Sequence, residues 1–216
     1  MSQSESFDRA RLALDNPVCP KCGTGMWLSR IEPDAPGHDK RTFECPQCAN
    51  VVRSYANLKR DLVFAVFAIA IVAATSILGQ IATYPNLVPW YAGLVKPDFN
   101  PPNWIFAPVW TNLYVLMAFA LWRILRVQKS SSRYRHYAIG LFLLLLSLNA
   151  TWSWMFFWAH SPLLGLVNIV PQFVVILATM ISFARLDGLA AICLLPLAAW
   201  VAFAAVLNTA IWLLNS

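Results

Sequence analysis

The first residues in this chain whose types and spacing can do chemistry are four cysteines. Cys19-Pro-Lys-Cys22-Gly and Cys45-Pro-Gln-Cys48 are two C-x-x-C pairs, with 22 residues between them. Each pair can close a tight turn whose backbone N–H groups point at the thiolates. Together they offer four sulfurs to a tetrahedral metal ion. The intervening GTGMWLSRIEPDAPGHDKRTFE reads as a short strand, a turn-rich tip and a second strand.

That arrangement resembles a zinc ribbon over residues 19–57, with a structural Zn2+ held by Cys19, Cys22, Cys45 and Cys48. Iron in a rubredoxin-like site uses the same four thiolates. The topology worked out below puts these cysteines in a reducing compartment, which disfavours disulfides, and the βαβ context of a thioredoxin-type redox pair is absent. About 40 residues supply too little core to fold alone, so the metal is expected to hold the segment together. Cys193 stands alone in the last apolar run and reads as packing.

A second constellation is aromatic and amide: Trp110, Tyr114, Asn149, Trp152, Trp154, Trp158, Asn168, Gln172, Trp200, Asn208 and Trp212. Trp90, Trp104, Trp122, Trp158 and Trp212 fall near the ends of apolar runs and suit an interfacial belt. Trp110, Trp152 and Trp200 sit some turns inside, where an indole N–H has no water and needs a partner. Asn149 and Trp152, three apart, share one helix face; so do Trp200, Ala204, Leu207 and Asn208. Amides as interhelical glue are the plainer alternative.

The elements that must position these groups are membrane helices. The 216 residues are 59% hydrophobic and 12% charged, against about 25% charged in an ordinary soluble domain. The acidic residues Glu5, Asp8, Asp15, Glu32, Asp34, Asp39 and Glu44 precede residue 50; only Asp61, Asp98 and Asp187 follow. Uncharged runs of about 20 residues place spans at 62–82, 104–122, 138–158, 163–184 and 188–215, with Ala159-His160-Ser161-Pro162 as the break between the third and fourth. Pro171 and Pro196 are expected to kink the last two helices, with Ala198 and Ala202 allowing close approach. The first eighteen residues lack the apolar core of a cleavable signal, so the first span is expected to direct insertion.

With five spans, Arg53, Lys59, Arg60, Arg123, Arg126, Lys129, Arg133, Arg135 and Arg185 share one side and Lys96 holds the other. The positive-inside rule then puts the N-terminus in the cytoplasm and the C-terminus opposite. The net charge of +6 follows from this loop distribution, and no nucleic-acid partner is expected. The absence of Asp, Glu, Lys or Arg deep in any span excludes carboxylate acid–base pairs, intramembrane metal sites and charged proton relays. The fold class expected is an all-α membrane protein, a five-helix transmembrane bundle preceded by a small metal-bound β-ribbon. Its parts are a flexible N-terminus (1–18), a cytosolic ribbon (19–57) and the membrane domain (58–216).

The segments WYAGLVKPDFNPPNWIFAPVWTNLY (90–114), LNATWSWMFF (148–157) and LLPLAAWVAFAAVLNTAIWLLN (194–215) resemble, in order, the signature segments of the TspO/MBR family. The resemblance covers about residues 62–215 and leaves the ribbon as an N-terminal addition. It implies five membrane helices around a pocket open toward the first long loop, porphyrin or heme as ligand, and a role in tetrapyrrole sensing or transport. It further implies a ligand pocket of Tyr91, Pro101, Trp110, Tyr114, Asn149, Trp152, Trp200, Ala204 and Leu207, and often a homodimer. Trp110 and Trp200 match tryptophans associated with light-dependent porphyrin breakdown, the one activity for which they would be catalytic. A cytosolic protein partner for the ribbon and a bacterial cell membrane complete the expectations. Two departures stand out: Pro196-Leu197 replaces the family's frequent Pro-Tyr, and the last helix lacks the Tyr and basic residue of the animal sterol-recognition element. The stretch from Lys96-Pro97 to Pro101-Pro102 cannot run as a helix and is expected to form an extended lid.

Overall fold

The computed structural model describes residues 17–35, 38–127 and 132–216. Most of the N-terminal segment expected to be flexible, residues 1–16, lies outside the described residues, as do 128–131 in the basic connection. The chain divides into two compact units, with the boundary between Val63 and Phe64.

The N-terminal unit is a three-stranded antiparallel sheet in the order β1 (Trp27–Ala35), β2 (His38–Glu44) and β3 (Val51–Asn57). The first two strands match the sequence reading; β3 was not anticipated. It pairs with β2 in unbroken register from His38↔Asn57 to Glu44↔Val51. Its core is Met26 and Phe43 packed on Cys19 and Cys45, with Val52 against them. Two large apolar side chains are a small core for any domain, which agrees with a fold that leans on its cysteine cluster.

Among the described residues, five helical stretches are long and apolar enough to cross a membrane, the first of them beginning just before the unit boundary: Lys59–Tyr91, Asn103–Arg126, Arg133–Trp158, Pro162–Ala184 and Gly188–Leu214. They comprise α1 (Leu58–Thr83), α2 (Asn103–Arg126), α3 (Ser132–Ser153), α4 (Pro162–Ala184), the short α5 (Gly188–Ile192) and α6 (Leu195–Leu214). π-helical turns at Leu87–Tyr91 and Trp154–Trp158 extend the first and third spans.

Local chemistry sets the boundaries. The α3–α4 break falls at the expected tetrad. His160 takes φ 50°, and the Ser161 hydroxyl caps α4 by accepting the Leu164 N–H at 3.2 Å. Pro162 then occupies the first turn, where its missing N–H costs nothing. Pro196 acts differently from the kink expected of it. The last span breaks at Cys193–Leu194, and Pro196 sits in the first turn of α6, because there is no N–H at 196 to continue the α5 ladder. Asp187 caps α5 through the Ala190 N–H (3.0 Å) and also accepts from Arg123 Nε at 2.8 Å, tying the end of α2 to the start of α5.

Close backbone packing joins α3 to α4, α4 to α6 and α4 to α5. Trp154 Nε1 donates to the Leu78 carbonyl at 3.1 Å and so binds α1 to the third span. Leu94–Pro102 is non-helical, as its prolines require. Asn215 clasps this loop, its Oδ1 accepting from the Val95 N–H (3.0 Å) and its Nδ2 donating to the Val95 carbonyl (2.9 Å).

Candidate functional site

The two cysteine turns are built alike. Cys19 N–H donates to the Thr24 carbonyl and Gly23 N–H to the Cys19 carbonyl; Cys45 N–H donates to the Asn50 carbonyl and Ala49 N–H to the Cys45 carbonyl. Each turn ends on a left-handed residue, Gly23 at φ 74° and Ala49 at φ 52°. The four sulfurs lie within 4.8 Å of one another. Cys19–Cys48 is 3.5 Å, Cys22–Cys45 3.4 Å and Cys22–Cys48 3.6 Å.

A tetrahedral ion with metal–sulfur bonds of about 2.3 Å needs sulfur edges of about 3.8 Å, so the donor set fits a metal ion with little movement. The separations are far from a disulfide bond of about 2.05 Å. Asn50 Nδ2 donates toward Cys19 Sγ at 3.8 Å, a contact that orients a ligand from outside the first shell. The Thr24 hydroxyl and backbone N–H, followed by the Cys45 thiol, hold Cys22 down at about 6. The Asn50 N–H draws Cys48 downward, but the crowded thiols, Cys19 foremost, and desolvation push it up to about 12. Four thiolates cannot gather in so small a space without a cation; a divalent metal removes that conflict.

The second site is a cavity of about 560 Å³ inside the bundle. Of the residues expected to form a ligand pocket, Tyr91, Trp110, Tyr114, Asn149, Trp152, Trp200, Ala204 and Leu207 line it. Pro101 does not. It lies in the loop beside the cavity, where its carbonyl accepts from Asn100 Nδ2 (3.1 Å), while Asn100 Oδ1 accepts from the Tyr91 hydroxyl (3.5 Å). The Lys96 ammonium lies 4.5 Å from the Tyr91 ring centre.

The walls are mostly rings. Trp152 stacks on Phe156 at 5.0 Å and 16°, Trp110 lies 5.4 Å from Tyr114, and Phe106 meets Trp200 edge-on at 5.8 Å. The Tyr114 hydroxyl donates to Asn149 Oδ1 at 3.2 Å. Asn208 Nδ2 donates to the Pro162 carbonyl at 2.6 Å. Among the described residues, Asn208 Oδ1 and Trp152 Nε1 are buried without a protein partner, which leaves an acceptor and a donor on side chains that line the cavity.

Sequence reasoning missed the share of α1, which contributes Ser76, Gly79, Gln80 and Thr83. Their spacing of three, four and seven was the available signal, since it puts Ser76, Gly79 and Thr83 on one face. Phe156 and Gln172 also line the cavity. Gly165 is required beside it: a Cβ there would stand 2.8 Å from Asn208 Oδ1 and 2.9 Å from Phe156 Cδ2.

A five-helix multi-pass membrane protein with a ring-walled internal cavity is the class that fold and site define. Residues 67–213 match the TspO/MBR family, and the chain belongs to it. It is 42% identical over 132 residues to the tryptophan-rich protein TspO of Chlorobaculum tepidum, covering 61% of this chain and 83% of that one. The tryptophan-rich protein TspO of Archaeoglobus fulgidus is 36% identical over 159 residues, covering 70% of this chain and 96% of that one. The translocator protein of Sus scrofa is 38% identical over 123 residues, covering 57% and 73%. The cysteine-bearing segment precedes the matched region.

Proposed function

We propose that this chain is an integral-membrane tetrapyrrole-binding protein, acting as a sensor or carrier, with a zinc ribbon on the cytoplasmic face. The observation that carries the reading is the cavity itself. Its volume falls within the about 300–1,000 Å³ usual for small-molecule sites, and its tryptophan, tyrosine and phenylalanine rings suit a flat aromatic macrocycle. Lys96, on the loop beside Tyr91, is the cation available to a propionate. Protoporphyrin IX or heme titrated into the purified protein should quench tryptophan fluorescence saturably. Trp152→Ala and Trp200→Ala should each weaken binding about tenfold or more, the loss of one to a few kcal/mol of ring burial; unchanged affinity in both would sink the pocket assignment.

The four cysteines offer the closed tetrahedral thiolate set of a structural Zn2+ site; iron uses the same set, and the metal content of the purified protein distinguishes the two. The loop charges support an N-terminus in the cytoplasm and a C-terminus opposite, in a bacterial cell membrane. Residues 19–57 then form the ribbon domain and 58–216 the membrane domain, and a homodimer is the assembly expected by analogy with the family. Exposed Trp27 and Ile31 on β1 suit a cytosolic protein partner; capture by the full-length protein should then require the bound metal.

A second reading is favoured by the placement of Trp110 and Trp200 on one cavity. Light absorbed by a bound porphyrin, with dioxygen as oxidant, would drive its breakdown with these indoles as electron donors. Loss of the porphyrin absorption band under illumination tests this, and breakdown that persists in the Trp110→Phe/Trp200→Phe double variant would refute the residues assigned.

A further inference from the structure

Besides the inner cavity, the bundle carries a groove of about 440 Å³ between the middle of α2 and the N-terminal half of α6, which is the middle of the fifth span. Val109, Asn112 and Leu116 form one wall; Pro196, Ala199 and Phe203 form the other. Asn112, Pro196 and Ala199 are exposed, and a side chain exposed at mid-span meets acyl chains rather than water. Trp200 lines both this groove and the inner cavity. Three rings cross the partition in series: Phe106 on the cavity side, Trp200 at 5.8 Å from it, and Phe203 on the groove side at 5.6 Å from Trp200.

The seam is held differently from its neighbours. α4 packs closely on α3 and α6, and α2 approaches α5, where Arg123 and Asp187 pair at 2.8 Å. Between α2 and α6 the Phe106–Trp200 ring contact bridges the helices beside the groove. Asn112 adds a second peculiarity. Its Nδ2 donates to the Pro108 carbonyl of its own helix at 2.9 Å, leaving an amide in a groove where lipid contact alone would favour an apolar side chain.

We infer that the α2–α6 groove is a lateral portal, through which flat apolar ligands dissolved in the bilayer exchange with the inner cavity past Trp200. The inference rests on the ligand-binding reading above. A rotamer change of Trp200, with Phe106 and Phe203 giving way on either side, opens the partition while the Arg123–Asp187 tie keeps the far end of the seam closed. A macrocycle taken from the membrane then stays out of water on its way to the site.

The test uses the full chain in phosphatidylcholine vesicles with protoporphyrin IX supplied in the lipid phase and binding followed by stopped flow. Ala199→Trp and Leu116→Trp fill the groove from opposite walls and lie outside the cavity lining. Both are expected to slow association and dissociation alike, by about tenfold, with Kd unchanged. Val115→Trp, on the exposed face of α2 outside the groove, should leave both rates as they were. Unchanged rates in both groove variants overturn the portal.

A second measurement does not depend on porphyrin. Lipids brominated at mid-chain should quench the fluorescence component that Trp200→Phe removes. A component that stays unquenched overturns the inference, as it would if a second copy of the chain covered the groove. Failure of the native protein to bind porphyrin at all would instead defeat the proposed function, and the quenching would still decide whether the groove meets the bilayer.

Discussion

Gly165 shows how little room the cavity wall leaves. Its missing Cβ is the space taken by Asn208 Oδ1 and the Phe156 ring, and Asn208 is fixed by its bond to the Pro162 carbonyl. Gly165→Ala should destabilise the bundle by about 1–3 kcal/mol, the usual cost of overpacking, seen as a lower midpoint in thermal unfolding. At the cysteines the informative variable is pH. Cys22, held at about 6, is thiolate at neutrality and takes a proton as pH falls through that value. Cys48, pushed up to about 12, keeps its proton at neutrality unless a metal ion displaces it to solvent. Metal uptake at pH 7 must therefore release protons, and affinity must fall as pH drops, by about tenfold per unit for each thiol protonated in the free protein. Competition with a zinc-responsive dye across pH 5 to 8 checks the sign. The cysteine set was legible in the sequence because its spacing has few other uses. The unpartnered Trp152 Nε1 and Asn208 Oδ1 were not, because whether an amide finds a partner depends on which helix lies opposite.

The helices were legible as spans and less so in their ends. Uncharged length gave five of them, and the tetrad before Pro162 marked the break where it occurs. Pro196 was misjudged because a proline can bend a continuing helix or open a new one, and the choice here fell to the turn at Cys193–Leu194. β3 escaped notice because VVRSYAN is short and runs straight into α1; only the register with β2 reveals it. The Arg123–Asp187 pair ties α2 to α5, with both side chains largely shielded from solvent and Asp187 also capping α5. Removing one partner leaves the other charge poorly solvated. Arg123→Ala should therefore cost about 2–4 kcal/mol, while the cap-preserving Asp187→Asn should cost less, a ranking that unfolding in detergent can read.

At the scale of the whole chain, two units rest on different physics. The ribbon buries Met26 and Phe43 beside Cys19 and Cys45 as its apolar core, so a metal at its four cysteines is expected to hold it together; the membrane unit has an extensive buried core from Ala68 to Val201. A strong chelator should abolish the ribbon's amide protection in hydrogen exchange while leaving the protection of the five spans unchanged. The family resemblance made the cavity's tryptophans legible, since Trp110, Trp152 and Trp200 come from three separate signature segments. It did not reveal the α1 wall, whose small residues look like ordinary helix packing in an apolar run. The measurement that bears most directly on the central claim is an equilibrium titration of protoporphyrin IX into the native protein, with Trp152→Ala and Trp200→Ala beside it. Binding should saturate at one site per chain and weaken about tenfold or more in each variant; absent or non-saturable binding, or equal affinity in all three proteins, would rule out the tetrapyrrole pocket.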